Sequence, residues 1–286
     1  MSFENLKSTL MLARMLTLAR KALIGSQFCD LSLGAGLVTK GKKVTINTEG
    51  AISSADTDEA NPMSYADTDT TADDLEITLD KTLAIKLGDR DMHEVEAGKQ
   101  TVEAAYANQM MYRLNDDIDV LVHGLYATAG SDSFESGSTP WQWGTDASDW
   151  PNFCASIHKS LDDQSAPSVG RFMSLPNVAI EGIRLYYGSR ETSLGDEMNR
   201  NGLIAKNLFG FNIYQSRNVQ GSGTLHGLAG VERDAATLAV QISPMIEKLR
   251  LEGFWADGIR ARATAGVLAH KARNLVDINL NATLLA

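Results

Sequence analysis

The stretch most suggestive of chemistry is GLVTKGKK, residues 36–43. It runs Gly36, four residues, Gly41, Lys42, Lys43, and fits seven of the eight places of the nucleotide-binding pattern G-x-x-x-x-G-K-[ST]. In that pattern the glycines let backbone amides wrap the phosphates, the lysine reaches the outer phosphates, and the final hydroxyl holds magnesium. Lys43 cannot do the last job, because an ammonium repels the metal. The loop must also open a helix, whose N-terminus then faces the phosphate. Here the following residues, VTINTEGAI, are β-branched and alternating and predict a strand. The stretch therefore reads as a Gly-Lys turn before a strand. A nucleotide-binding enzyme built on Gly36–Lys43 is the lesser alternative.

Other constellations give less. His93, His123, His158, His226 and His270 are not paired at metal-ligand spacing. There is no H-E-x-x-H, no C-x-x-C and no G-x-S-x-G elbow; the near stretch GSGTLHG has Thr where the nucleophile would stand. Ser222, His226 and a distant Asp could be named a triad, but any chain of this length offers such a set. Asp73–Asp74, Asp116–Asp117 and Asp162–Asp163 are adjacent carboxylates, which on a helix do not face each other and so do not share a proton. A calcium loop starting at Asp67 fails, with Ala72 in place of the required Gly and Thr78 in place of the Glu. Trp141, Trp143 and Trp150 sit in a polar loop, residues 129–150. They could stack sugars or bases, but the reading preferred here is that they pin the loop to its own domain or to a neighbour. No catalytic, cofactor-binding or metal site stands out, and the sequence predicts no enzyme. Cys29 and Cys154 are too few for a disulfide scaffold and are expected as free thiols, with a single bridge between them as the alternative.

The elements that would carry these residues read as follows. Residues 3–24 form an amphipathic helix, with Lys7, Arg14 and Lys21 every seven residues and Leu6, Leu10, Ala13 and Leu16 on an adjacent stripe. It docks either on its own domain or, as an arm, on another subunit. Residues 34–92 suggest two extended stretches around a polar middle, SSADTDEANPMSYADTDTTAD, which lacks the bulky apolar residues needed for a core. Residues 94–128 are the clearest helix, with Val102, Tyr106, Met110, Leu114, Ile118, Leu121, Val122 and Leu125 on one stripe. A helix from 151, a strand RFMSLPN and a helix VAIEGIRLYYG follow. Residues 188–230 read as loop, with a strand at GFNIYQS. ATLAVQI, EKLRLEGFW, GIRARATAGVLAH and NLVDINL then read as successive strands, with turns at Gly253, Asp257–Gly258 and Lys271–Ala272. The class is α+β.

The charge distribution narrows the function. The formal net charge is −10, yet no Lys or Arg lies between Lys43 and Lys81, where ten acids occur: Glu49, Asp56, Asp58, Glu59, Asp67, Asp69, Asp73, Asp74, Glu76 and Asp80. Outside that segment, 26 acids face 26 bases. Residues 1–29, by contrast, carry Lys7, Arg14, Arg20 and Lys21 with only Glu4 as an acid. A broad basic face for sequence-independent nucleic-acid binding is not in this pattern. No apolar run approaches the length needed to span a bilayer.

The order of these parts resembles the major capsid protein of tailed bacteriophages, the Hong Kong 97 type fold. A basic N-terminal arm leads into a G-K-x-V-x-I strand and an acidic hairpin. LEITLDKTLAIKLGDRDM then runs into a long helix ending LNDDIDVLVHGLY, followed by SLPNVAIEGI, NGLIAKNLFGFNIYQSRNV and EGFWADGIRARATAGVLAHKARNLVDI. GFNIYQS and ADGIRARATAGVLAHKARNLVDI are the most specific pieces. The resemblance implies an N-arm at 1–38 and an extended hairpin, the E-loop, at 39–92. It implies a peripheral domain at 93–150 and 236–268 with a spine helix at 94–128, and an axial domain at 151–235 and 269–286. It implies a subunit made in the bacterial cytoplasm that self-assembles into hexamers and pentamers of an icosahedral virion shell. A separate scaffolding protein, a portal and non-specifically contacted DNA are its implied partners; no cofactor and no membrane are. An encapsulin-like compartment sharing the fold is the alternative. The charge pattern suggests that the arm bases Lys7, Arg14, Arg20 and Lys21 meet Asp56, Asp58, Glu59, Asp67, Asp69, Asp73 and Asp74 of a neighbouring hairpin.

Overall fold

A computed structural model describes residues 24–32, 43–49, 70–89, 99–142, 149–188 and 207–282. The predicted N-terminal helix, the Gly36–Lys42 turn, the polar middle of the hairpin, Trp143 and residues 189–206 lie outside them. The elements in chain order are α1 (Gly25–Phe28), β1 (Lys43–Glu49), β2 (Thr70–Glu76), β3 (Leu79–Gly88), α2 (Lys99–His123), β4 (Ser131–Ser133), α3 (Asp149–Asp163), β5 (Arg171–Leu175), α4 (Asn177–Gly188), β6 (Asn207–Leu208), β7 (Phe211–Gln215), β8 (Thr224–Val231), β9 (Thr237–Arg250), β10 (Ala256–Leu268) and β11 (Leu275–Asn281).

The strands form three sheets: the hairpin β1-β2, a three-stranded sheet β3-β10-β9, and a six-stranded sheet β4-β11-β8-β5-β7-β6. The last is mixed, because β4 runs parallel to β11 and β5 parallel to β7 while its other pairs are antiparallel.

The six-stranded sheet is buried on both faces, as period-two alternation allows. On one face Met173, Leu175, Val276, Ile278 and Leu280 pack against Trp150, Phe153, Ile157 and Leu161 of α3 and Ala179, Ile180 and Ile183 of α4. On the other, Phe172, Leu228 and Leu275 join a second core with the apolar stripe of α2. Every residue predicted for that stripe, from Val102 to Leu125, is in this core. Leu87 of β3 and Ile259, Ala261, Ala263 and Ala265 of β10 complete it, so α2 is clamped between the two larger sheets.

Four expectations are corrected. The regular helix ends at His123 instead of running to 128, because at Gly124 the chain tightens into a 3-10 turn, Gly124–Thr128; its described length from Lys99 is 25 residues, about 37 Å at the usual rise, and 94–98 lie outside the described residues. The second stretch of the hairpin is divided: β2 pairs with β1, but after Ile77–Thr78 the chain crosses to pair β3 with β10. The loop reading of 224–231 fails, since β8 is a central strand of the large sheet. Its glycines hid it: a Cβ on Gly230 would stand 2.5 Å from the Asn274 carbonyl oxygen, so the neighbouring chain requires the residue that weakens the strand pattern. Finally, the two strands expected between 236 and 255 are one, β9. Pro244, which cannot donate a ladder hydrogen bond, is absorbed where the register against β10 slips between Met245 and Ile242, and Thr264 Oγ1 accepts from Ile242 N at 3.0 Å.

Candidate functional site

Lys43 opens β1, so a strand and not a helix follows Lys42. The Lys43 ammonium is paired with the Asp74 carboxylate across the hairpin, and Thr45 Oγ1 donates to the same carboxylate at 2.8 Å. These contacts hold Asp74 below the usual carboxylate range, the bond from Lys43 being the largest cause. The position that would hold magnesium in a phosphate loop is thus an ammonium committed to an acid. Among the described residues no group of three or more His, Cys, Asp and Glu is placed to hold a metal. No helix among them is long and apolar enough to cross a membrane.

Of the eleven residues expected at subunit contacts, only Asp73 and Asp74 lie in the described parts, on β2 opposite Ile46 and Thr45. Lys7, Arg14, Arg20, Lys21, Asp56, Asp58, Glu59, Asp67 and Asp69 lie outside them. Asp74 therefore already has a partner within its own hairpin. Asp80, from the same acidic segment, is bound by Arg262 at 2.7 Å. The hairpin root is seated on the body by Leu75, fully buried among Ala239, Val44, Ile46, Ile77 and Leu268.

The end of the N-terminal segment is fixed by a buried polar cluster. Asp119 Oδ1, on α2, accepts from Ile24 N at 2.9 Å and Gly25 N at 2.6 Å. Its other oxygen accepts from Asn218 Nδ2 at 2.5 Å, and the same amide donates to Asp116 Oδ1 at 2.9 Å. Arg113 reaches Asp116 at 3.3 Å. One turn on, His123 Nδ1–H donates to the Asp119 carbonyl at 2.8 Å, which leaves Nε2 to accept from Ser174 Oγ at 3.0 Å. Burying carboxylates is unfavourable unless they are hydrogen-bonded, and here they are. The cluster ties three distant segments together. The sequence showed Asp116–Asp117 only as adjacent acids; the pair that acts together is Asp116 and Asp119, three apart on one helix face.

A second polar pair lies in the large sheet. His226 Nδ1–H donates to Asp277 Oδ2 at 2.8 Å, and the Tyr126 ring stacks on His226 at 4.3 Å. Burial pushes the Asp277 carboxyl up to about 6, against the opposing pull of His226. Among the described residues no hydroxyl or thiol is hydrogen-bonded to this pair, and Ser222 is not its partner. A third polar group, the buried Arg171 guanidinium, donates to the Pro167 and Ala166 carbonyls, to Asp162 and to His158 Nδ1, leaving His158 Nε2–H to donate to Phe209 O at 2.7 Å.

The tryptophans of the polar loop are pinned where described. Trp141 is buried edge-on to Phe153 and donates to Ser133 Oγ at 3.3 Å, and Trp150 stacks on Phe153. Among the described residues the exposed large aromatics are elsewhere: Phe209 in the turn between β6 and β7, and Phe254 and Trp255 in the turn between β9 and β10. The turn expected at Gly253 is found, but the strand before it ends at Arg250 instead of running on through Trp255, and the turn expected at Asp257–Gly258 is not found, since both residues lie in β10.

No family model matches the chain, and no curated protein matches it. Solved structures do. A structure from Mycobacterium phage Che8 superposes with a TM-score of 0.77 at 23% identity, covering 94% of this chain and 97% of that one. The capsid of the cyanophage P-SCSP1u gives 0.71 at 12% identity, covering 99% and 94%. The chain has a phage capsid fold. The capsid of a native GTA particle agrees, with a TM-score of 0.67 at 10% identity over 97% and 96% of the two chains. In all three the superposition extends over nearly the whole of both chains.

Proposed function

We propose that the chain is the major capsid subunit of a tailed phage, of the Hong Kong 97 type, assembling as hexamers and pentamers into an icosahedral shell around double-stranded DNA. The observation that carries this is the near-complete superposition on a structure from Mycobacterium phage Che8, at a TM-score of 0.77, and on the capsid of the cyanophage P-SCSP1u, at 0.71. The chemistry is consistent with a structural role: the Asp116–Asp119 and Arg171 clusters are hydrogen-bonded joints between segments, and the would-be phosphate loop runs into a strand. In this reading residues 1–38 are the arm and 39–92 the E-loop, with 93–150 and 236–268 peripheral and 151–235 and 269–286 axial. The pairing of β3 with β10 favours counting 79–88 with the peripheral domain. A scaffolding protein, a portal and DNA are its proposed partners, and the virion its location after synthesis in the bacterial cytoplasm. The encapsulin-like alternative is less favoured, since the structural neighbours named above come from phages and a GTA particle.

The hairpin acids, on this reading, are neutralised by a neighbour. A hairpin without its own core gains stability by lying on a partner. Lys7, Arg14, Arg20 and Lys21 are the proposed counterparts of the acids at 56–69 and of Asp73, with Asp74 shared between Lys43 and the partner. Electron microscopy of the purified chain with size-exclusion chromatography tests the assignment. Closed shells or rings of five or six subunits support it. A chain that remains monomeric at high concentration, even with its scaffold supplied, and that binds ATP overturns it. Neutralising the four arm bases should weaken assembly and flatten its salt dependence; unchanged assembly would sink the pairing.

A further inference from the structure

The turn between β6 and β7 stands on a histidine. It has two residues, Phe209 and Gly210, with φ of 50° and 80°. Positive φ at both places belongs to a type I′ turn, which favours Asn or Gly in the first; a bulky side chain there is strained and needs outside support. The strands supply little of it, since β6 gives only the pairs Asn207–Asn212 and Leu208–Phe211 and lies at the sheet edge. The support comes from α3. His158 Nε2–H donates to the Phe209 carbonyl at 2.7 Å, and its ring packs on Phe211, with centroids 4.1 Å apart. His158 Nδ1 in turn accepts from Arg171 Nη1 at 2.6 Å. A guanidinium can only donate and a carbonyl can only accept, so these two neighbours admit one form of the imidazole, the neutral Nε2–H tautomer. Arg171 is fixed in its place. It is buried, and it also donates to the Pro167 carbonyl at 2.9 Å, the Ala166 carbonyl at 3.2 Å and Asp162 Oδ1 at 2.5 Å.

We propose that the β6-β7 turn is an acid-operated switch: a proton taken up by His158 unseats the imidazole and frees the Phe209 turn, reshaping the surface at this end of the large sheet. Imidazole is the side chain whose charge changes between about pH 5 and pH 8. On His158 a second proton can go only to Nδ1. There it points at an Arg171 N–H across 2.6 Å, donor against donor and cation against cation. Because Arg171 is held from three other sides, the imidazole leaves, and its Nε2–H leaves with it. The strained Phe209 backbone then loses the bond that holds it. The charged groups facing His158 are Arg171 from β5 and Asp162, four residues on along its own helix; β6-β7 presents the Phe209 carbonyl and the Phe211 ring. The Asp162 side chain is 63% exposed and Arg171 is buried, so water screens the attraction of the acid for an imidazolium more than the repulsion of the guanidinium. What opens is apolar. Phe209 is 48% exposed, and buried Leu208 and the Trp150 ring, 6.4 Å from the Phe209 ring, lie next to it. Val169, also exposed, leads into β5, the parallel neighbour of β7. Acid thus converts a defined apolar edge into a larger and looser one. Every part of the switch lies in one chain, so it needs no second copy.

Hydrogen–deuterium exchange of the purified full-length chain at about pH 8 and about pH 5, with rates corrected for the chemical effect of pH, tests the switch. In the wild type the amides of 207–212 are expected to lose protection about tenfold in acid, while those of α2 and β11 keep theirs. His158→Gln offers an oxygen to Arg171 and an N–H to the Phe209 carbonyl but cannot take up a proton in this range. Its turn should stay protected at both pH values. Wild-type protection of 207–212 that is equal at the two pH values overturns the proposal whether or not the variant folds. So does an acid loss as large in His158→Gln as in the wild type, or one spread evenly over the chain, which would be general unfolding. Each of these results leaves the shell reading standing, since no contact between subunits takes part.

Discussion

The carboxylate of Asp119 accepts a hydrogen bond from the backbone N–H of Gly25 at 2.6 Å, across 94 residues of sequence. The same oxygen accepts from Ile24 N, and Gly25 is packed so closely that an added Cβ would stand 2.9 Å from it. The C-terminal part of the long helix therefore fixes the backbone at Ile24 and Gly25. On the proposal that residues 1–38 are an arm, this joint anchors the arm to the body.

Removing the joint should be expensive. Asp119→Ala leaves two backbone N–H groups and the Asn218 amide without their acceptor, and unmet buried donors cost about 1–3 kcal/mol each where water cannot reach them. With partial relaxation, a total loss of about 2–4 kcal/mol is expected. Urea unfolding should show a lower midpoint with an unchanged slope. Asp119→Asn, which keeps one acceptor oxygen, should lose less. Equal loss in both variants would mean that the carboxylate serves its helix and not the arm.

Much of this architecture was legible in the sequence because it rests on periodicity. The stripe from Val102 to Leu125 fixes the face of α2, and the β-branched run after Lys43 fixes β1. What escaped rests on distant contacts. β8 was hidden by Gly230, whose presence answers to the Asn274 carbonyl and not to local propensity. The division of the hairpin strand after Glu76 depends on β10, nearly 200 residues away. Asp119 looked like one helix acid among several, since nothing local says that Ile24 and Gly25 return to it. Trp255 was read into a strand because Phe-Trp has high strand propensity, although Gly253, at φ 74°, makes the turn.

Asp277 predicts a pH dependence. Burial raises its pKa from the model-compound value of 3.8 to about 6, so the folded state holds the proton more tightly than the unfolded one. The stability contributed by this raised pKa is fully present below pH 4 and is lost as pH rises through 6. Asp277→Asn retains an acceptor for His226 and cannot ionise. The stability of wild type relative to this variant should therefore fall as pH rises from 4 to 7. A parallel pair of pH profiles would show that Asp277 does not titrate in this range.

The two thiols should report unfolding and nothing else. Burial pushes the Cys29 thiol up to about 12, assisted by the nearby Asp119 and Asp30 charges, and burial alone pushes Cys154 up as well. Reactivity follows the thiolate. Ellman's reagent at pH 8 should label neither cysteine in the native protein within minutes and both at once in 6 M guanidinium. Rapid labelling of Cys29 in Asp119→Ala, with Cys154 still protected, would show that the arm joint opens without the large sheet.

Gly266 predicts that the hairpin can be unseated from the body on its own. At this residue β10 passes beneath the chain leaving β2, and an added Cβ would stand 2.0 Å from the Glu76 carbonyl oxygen. Backbone cannot yield there as a flexible side chain would, so even alanine forces the two segments apart. Overpacking of this kind costs about 1–3 kcal/mol. The strain falls on the crossing between β2 and β3, beside buried Leu75, and away from the six-stranded sheet. Gly266→Ala should therefore hasten proteolysis within the hairpin several-fold while Cys154, in the core behind the large sheet, stays protected from Ellman's reagent. If shells form by laying each hairpin on a neighbour, the variant should also assemble less well than its modest loss of stability accounts for. Wild-type proteolysis with wild-type assembly would show that the crossing relaxes without disturbing the hairpin.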